Sequence, residues 1–116
     1  MRCGIWCRKS IGGGVGKGAT KTVYRVFGGD ARAQGRSWTP VNPKKTKNFR
    51  DNAGLPSGGE SGFNNTADFM IKGKVKSKDI IIKRDALPLD GNKGGLPEYI
   101  IQPEHIEITD FSVLNP

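Results

Sequence analysis

Apolar residues occur along this chain in short bursts separated by glycine, proline and asparagine, and most bursts alternate with polar positions instead of recurring at helical spacing. Thr22-Val23-Tyr24-Arg25-Val26-Phe27 is β-branched and aromatic and stops at Gly28-Gly29-Asp30, so it predicts a first strand and turn, with Arg25 on the face of Val23 and Phe27. Phe69 to Lys76 predicts a second strand, with Phe69, Ile71 and Val75 inward and Lys72, Lys74 and Lys76 outward. Ile80 to Ile82 reads as a short buried segment and Glu98 to Ile101 as a strand. His105 to Thr109 then puts His105, Glu107 and Thr109 on one face and Ile106 and Ile108 towards the core. Lys44, Lys45, Lys47 and Arg50, around Asn48-Phe49, are placed on a short helix ending near Gly54, while Leu55 to Gly59 and Ala86 to Asn92 carry turn chemistry. The whole predicts an α+β domain, a small twisted, mostly antiparallel sheet of four to six short strands with one or two short helices packed against it.

Composition narrows this picture. At 116 residues there is room for one domain and one modest core, and 17 glycines, seven prolines and 34% hydrophobic residues favour turns and short strands over a helical bundle. Gly12 to Gly18 divides the chain into a flexible basic segment, 1–21, and a folded domain, 22–116. The glycine run is not a phosphate loop, because Ile11 and Gly18 stand where that pattern requires a glycine and a Ser/Thr around Gly16-Lys17. Cys3 and Cys7 lack the further ligands of a zinc site, so neither a metal nor any other cofactor is expected, and two thiols fit a reduced compartment. Met1 to Ile11 has no apolar stretch of signal-peptide type, Asn64-Asn65-Thr66 is therefore read as local polarity and not as a glycosylation site, and no membrane association is expected.

Charge changes the expected partner. The net charge is +8, and residues 1–58 hold twelve Lys/Arg against Asp30 and Asp51, while residues 59–116 hold seven bases and nine acids. An excess confined to one half attracts a polyanion, nucleic acid first and an acidic protein second. Arg36, Trp38, Lys44, Lys45, Lys47 and Arg50 are the candidate RNA-binding residues, Trp38 by stacking and the cations by phosphate contact, although Trp38 taken alone reads as a core anchor and the lysines as a solvated face. His105, the one histidine, is the candidate proton shuttle near neutral pH. RNA cleavage needs a second proton-transfer group, which is Glu98, a lysine or a hydroxyl such as Thr39 or Thr66, with Arg25 and Arg84 neutralising charge in the transition state.

Tyr24-Arg25-Val26, Gly28 to Ala31, Ser37-Trp38-Thr39-Pro40, Phe49-Arg50, Ala53 to Gly59, Asn65-Thr66 and Ala86 to Tyr99, taken in succession, resemble the C-terminal toxin domains of bacterial polymorphic toxins, of the contact-dependent growth inhibition and Rhs type, over Thr22 to Pro116. The resemblance implies a domain exported as part of a large toxin protein. It would act in the cytoplasm of a target bacterium and be neutralised by a cognate immunity protein, expected to be acidic. It further implies a tRNA-cleaving ribonuclease, served in some members by elongation factor Tu, on a fold of the barnase/EndoU/colicin/RelE kind. A second class stands beside it. NAD-consuming ADP-ribosyltransferases and glycohydrolases often show an arginine at the end of a first strand, a Ser/Thr strand and a late glutamate, and Arg25, Ser37 to Thr39 and Glu98 occur in that order, although the first interval is short and no Glu-x-Glu is present. A basic RNA-binding module without catalysis is the third reading.

Overall fold

The computed structural model describes residues 19–114. The linker expected at Gly12 to Gly18 and the thiols of Cys3 and Cys7 lie outside the described residues. Six strands form, β1 Thr20–Gly29, β2 Ser37–Trp38, β3 Asn65–Lys76, β4 Ile80–Asp85, β5 Pro97–Ile101 and β6 Glu107–Val113, with one short helix, α1 Phe49–Ala53. The α+β class holds, with the strands divided between two three-stranded antiparallel sheets ordered β1-β3-β6 and β2-β5-β4. One bridge joins them: Tyr24 and Thr39 exchange backbone hydrogen bonds of 2.7 and 2.9 Å.

Thr20 and Lys21, expected in the flexible segment, open β1 by pairing with Lys76 and Val75 at the far end of the longest strand. The strand turns where expected, through Gly28 to Ala31, whose ends exchange hydrogen bonds of 3.1 and 3.0 Å. Gly28 is required there: a Cβ would stand 2.3 Å from the Thr66 hydroxyl and its φ is +147°.

The core sits where the two sheets face each other. Val23 from β1, Ile71 and Val75 from β3, Trp38 from β2 and Ile101 from β5 are buried together with Ile106, and Phe27, Ile80 and Tyr99 pack around them. Val23, Ile71 and Val75 are thus inward as expected, but Val26 and Met70, paired with each other on the opposite face, are buried as well, and Phe27 and Phe69 only partly so. Two other expectations are overturned. Ile81 and Ile82 are 56% and 44% exposed, because β4 is the outer strand of its sheet and nothing described covers it. His105 lies in the short 3-10 turn Pro103–His105, not on a strand, and the register slips between Lys72 and Gly73 so that Thr109 is an inserted residue in β6. Ile106 is consequently buried above Gly73, where a Cβ would approach it to 2.6 Å, whereas Ile108 is half exposed. Among the described residues no helix is long and apolar enough to cross a membrane.

Ile101 is fully buried at the centre of this core. Ile101→Ala is expected to cost about 2–5 kcal/mol, whereas Ile81→Ala on the open strand should stay within about 0.5 kcal/mol. Urea unfolding of the two variants measures the contrast, and equal losses would contradict this placement of the core.

Candidate functional site

Where β1, β2 and β5 meet, the molecule opens into a cleft of about 420 Å³, within the range of small-molecule sites. Its walls are largely apolar, from Tyr24, Phe49, Phe63, Leu89, Leu96 and Ile100, and the charged side chains lining it are Arg25, Arg36, Arg84 and Glu98. Glu98 is the one carboxylate among the described lining residues, and no histidine or lysine accompanies it.

The central strand of the second sheet carries Glu98, and each neighbouring strand supplies one of its partners. From β2 the Ser37 hydroxyl donates to Oε2, and from β4 Arg84 Nε donates to Oε1 at 2.9 Å, from the position directly opposite in the register. With both oxygens engaged and the side chain only 18% exposed, the carboxylate is held in one orientation at the cleft wall.

Arg25 organises the loop that carries Ser37. Its Nε and Nη2 both donate to the Arg32 carbonyl, at 3.1 and 2.8 Å, and Nη1 donates to the Ser37 carbonyl at 3.0 Å. An arginine on an inward strand face must find such partners, since a buried unpaired charge costs several kcal/mol. Burial first, and the Arg32 charge second, push the guanidinium below its ordinary pKa, but an arginine remains protonated throughout the neutral range. Gly35 makes the arrangement possible, because a Cβ there would lie 2.1 Å from Nη2 and 2.3 Å from Cζ. Trp38 closes the same loop by donating its indole N–H to the Gly35 carbonyl at 2.9 Å.

The remaining wall is a loop tied down by Asp90. Its carboxylate accepts from the backbone N–H of Ser57 at 2.8 Å and of Ser61 at 2.9 Å, and from the Ser61 hydroxyl. These donors, led by the Ser61 hydroxyl, lower its pKa to about 2. Helix α1 is fastened to the segment before β5 in the same manner, since its end carbonyls at Asp51 and Asn52 accept from Gly94 and Leu96 at 2.8 and 3.0 Å. Those bonds set the approach of β5 and hence the position of Glu98.

Of the six candidate catalytic residues, the fold brings Arg25, Thr39, Arg84 and Glu98 to the cleft. Thr39 is 6% exposed and its hydroxyl accepts from the Val41 N–H, which is the work of a turn cap. Thr66 does not line the cleft; it packs against Gly28 and donates to Asp68. His105 lies in a separate groove with Thr20, Lys74, Lys76, Lys78, Asp79 and Glu107, its Nδ1 3.9 Å from an Asp79 oxygen. Thr20 and Arg25 lie five positions apart on β1, or roughly 16 Å of strand. Among the candidate RNA-binding residues, Trp38 is 2% exposed and cannot stack a base, and Arg50 is committed to Pro56, Ser57 and Asn65. Arg36 lines the cleft, and Lys44, Lys45 and Lys47 are exposed around the turn Pro43–Lys45. Ser37, the partner of Glu98, was visible only within the Ser37 to Thr39 pattern; Gly35 and Asp90 had no signal beyond ordinary turn chemistry.

Among the described residues no group of three or more His, Cys, Asp or Glu is placed to hold a metal ion. No protein-family model, curated protein or solved structure matches this chain.

Two expectations follow from the wiring of the cleft. Gly35→Ala should expel the Arg25 guanidinium from its carbonyls and cost about 1–3 kcal/mol of stability, measurable by denaturant unfolding; an unchanged midpoint would mean that the guanidinium relocates freely. The depressed Asp90 pKa contributes stability above the ordinary carboxylate range, and this contribution is lost as pH falls towards about 2. The Ser57 and Ser61 amide signals should therefore titrate together in NMR spectra with a midpoint near that value, and Asp90→Asn should abolish the transition.

Proposed function

We propose that the cleft is the catalytic site of an NAD-consuming enzyme, an ADP-ribosyltransferase or glycohydrolase, and that the domain acts as a toxin of the class its sequence resembles. The observation that carries this reading is the single oriented carboxylate, Glu98, bonded to Ser37 and Arg84 in an apolar cleft whose other charged groups are arginines. NAD carries its nicotinamide as a cation, so when the bond from the ribose to the ring nitrogen breaks, the electron pair stays with nicotinamide and a neutral molecule departs. No general acid is required. Positive charge develops on the ribose instead, and a fixed carboxylate stabilises it until water or an acceptor side chain attacks. Arginines suit the diphosphate, and apolar walls suit the nicotinamide ring.

RNA cleavage is the second reading, favoured by the net charge of +8 and the arginines of the cleft. It requires two proton transfers, and the lone histidine stands in another groove, so Glu98 would have to act with an arginine or a hydroxyl. The immunity protein expected from the toxin resemblance belongs to the proposal under either chemistry, whereas tRNA and elongation factor Tu belong to the ribonuclease reading.

Incubating the purified domain with NAD and with total tRNA, with and without cell extract, distinguishes the two. Nicotinamide release is expected, with Glu98→Gln lowering the rate about 10²–10³-fold and His105→Ala leaving it unchanged. Intact NAD together with fragmented tRNA, the cleavage being abolished by Glu98→Gln or by His105→Ala, would overturn the proposal in favour of the ribonuclease.

A further inference from the structure

Three arginines line the cleft beside its carboxylate; Arg36 makes no hydrogen bond to Glu98, and the hydrogen bonds of Arg25 and Arg84 divide the work between those two. Three of the N–H groups of Arg25, drawn from all three of its nitrogens, are spent on the carbonyls of Arg32 and Ser37. Arg84 is engaged differently. It touches Glu98 through Nε alone, at 2.9 Å, while its side chain is 44% exposed and lines the cleft. Neither Nη atom has a hydrogen-bond or ion-pair partner among the described residues. A guanidinium has five donors in a planar fork, so Arg84 fixes the carboxylate with one and presents the terminal pair.

We infer that Arg84 is the diphosphate-binding residue of the cleft, its two terminal nitrogens receiving substrate phosphate oxygens while Nε keeps Glu98 in place, and that Arg25 is a structural clamp. The assignment rests on the NAD reading above and adds to it the residue that recognises the anionic centre of the substrate. It follows from geometry. An anion reaching Arg25 would meet a guanidinium already saturated along the edge that its backbone partners occupy, whereas Arg84 offers an edge-on, two-point contact from an exposed edge strand. Placing phosphate next to the cation that also holds Glu98 couples substrate binding to the position of the carboxylate, because both depend on the orientation of one plane.

The test is the affinity of ADP-ribose, which carries the diphosphate, and of adenosine, which does not, measured by calorimetry on the wild-type chain and on Arg84→Gln, Arg84→Lys and Lys83→Gln. Lys83 neighbours Arg84 on β4, and its ammonium sits over the Tyr99 ring, 5.7 Å from the centroid; it controls for the loss of one charge. Arg84 is exposed at a sheet edge, so its variants are expected to fold, with an unchanged melting temperature as the check. Loss of a charge-assisted two-point contact should weaken ADP-ribose by about 10- to 100-fold in Arg84→Gln. Arg84→Lys should recover only part of this, since an ammonium cannot hold Glu98 and two phosphate oxygens in one plane, and Lys83→Gln should match the wild type. Adenosine should bind all four chains alike. Wild-type binding of ADP-ribose with equal affinity in Arg84→Gln would overturn the role of Arg84 while leaving the NAD reading standing. Failure of the wild type itself to bind ADP-ribose would remove that reading, and this inference with it.

Discussion

The Arg25 guanidinium is the element on which the arrangement of this molecule turns. It leaves β1 on the inward face and, by donating to the carbonyls of Arg32 and Ser37, draws the segment 31–39 back along the strand from which it came. That return path allows Thr39 to bridge Tyr24 and so couples the two sheets, and it delivers the Ser37 hydroxyl to Glu98. The demand of a half-buried cation for carbonyl oxygens thus shapes the backbone, and the backbone in turn shapes the cleft. A glycine at position 35 is the geometric condition for it, since any side chain there would occupy the space of the guanidinium.

With only 34% hydrophobic residues, the chain builds a core that reaches across the facing parts of the two sheets and no further. Beyond it the inner face of the first sheet continues as Phe27, Phe69 and Phe111, whose rings lie 5.4 to 6.3 Å apart, with Phe111 60% exposed. Much of the rest is held by polar side chains acting on backbone: Arg50 on Pro56 and Asn65, Asn65 on Val26, Asp90 on Ser57 and Ser61, Asn92 on Leu55. Such bonds individually stabilise by about 0.5–1.5 kcal/mol, or somewhat more where a charge takes part, but they are directional. They suit a fold in which loops, more than packed helices, must define the walls of a site.

The chemistry proposed for the cleft follows from what surrounds one carboxylate. On the proposed reading the carboxylate held by two partners serves a developing cation, the guanidinium groups serve the diphosphate, and His105, which lies in another groove, is not called upon. Its surroundings of lysines and two acids belong to the outer groove by the turn at Pro103. Rarity in composition draws notice to a side chain, but reactivity depends on convergence of partners, which composition does not carry.

Local patterning by itself determined the α+β class, the β1 and β3 strands with their inward faces, the turn after Phe27, the short helix ending at Gly54 and the concentration of positive charge in the first half. These depend on neighbours two to four residues apart, which periodicity and turn chemistry report directly. Tertiary structure decided the division into two sheets, the exposure of Ile81 and Ile82, the inserted residue at Thr109 and the withdrawal of Trp38, Arg50 and Thr66 into structural roles. It also decided that Ser37 and Arg84, 61 and 14 residues from Glu98, should hold its two oxygens. The physical reason is that strand order, edge position and register are set by long-range pairing between segments whose local sequences are equally strand-like. A side chain acquires its partner only when that pairing has been chosen.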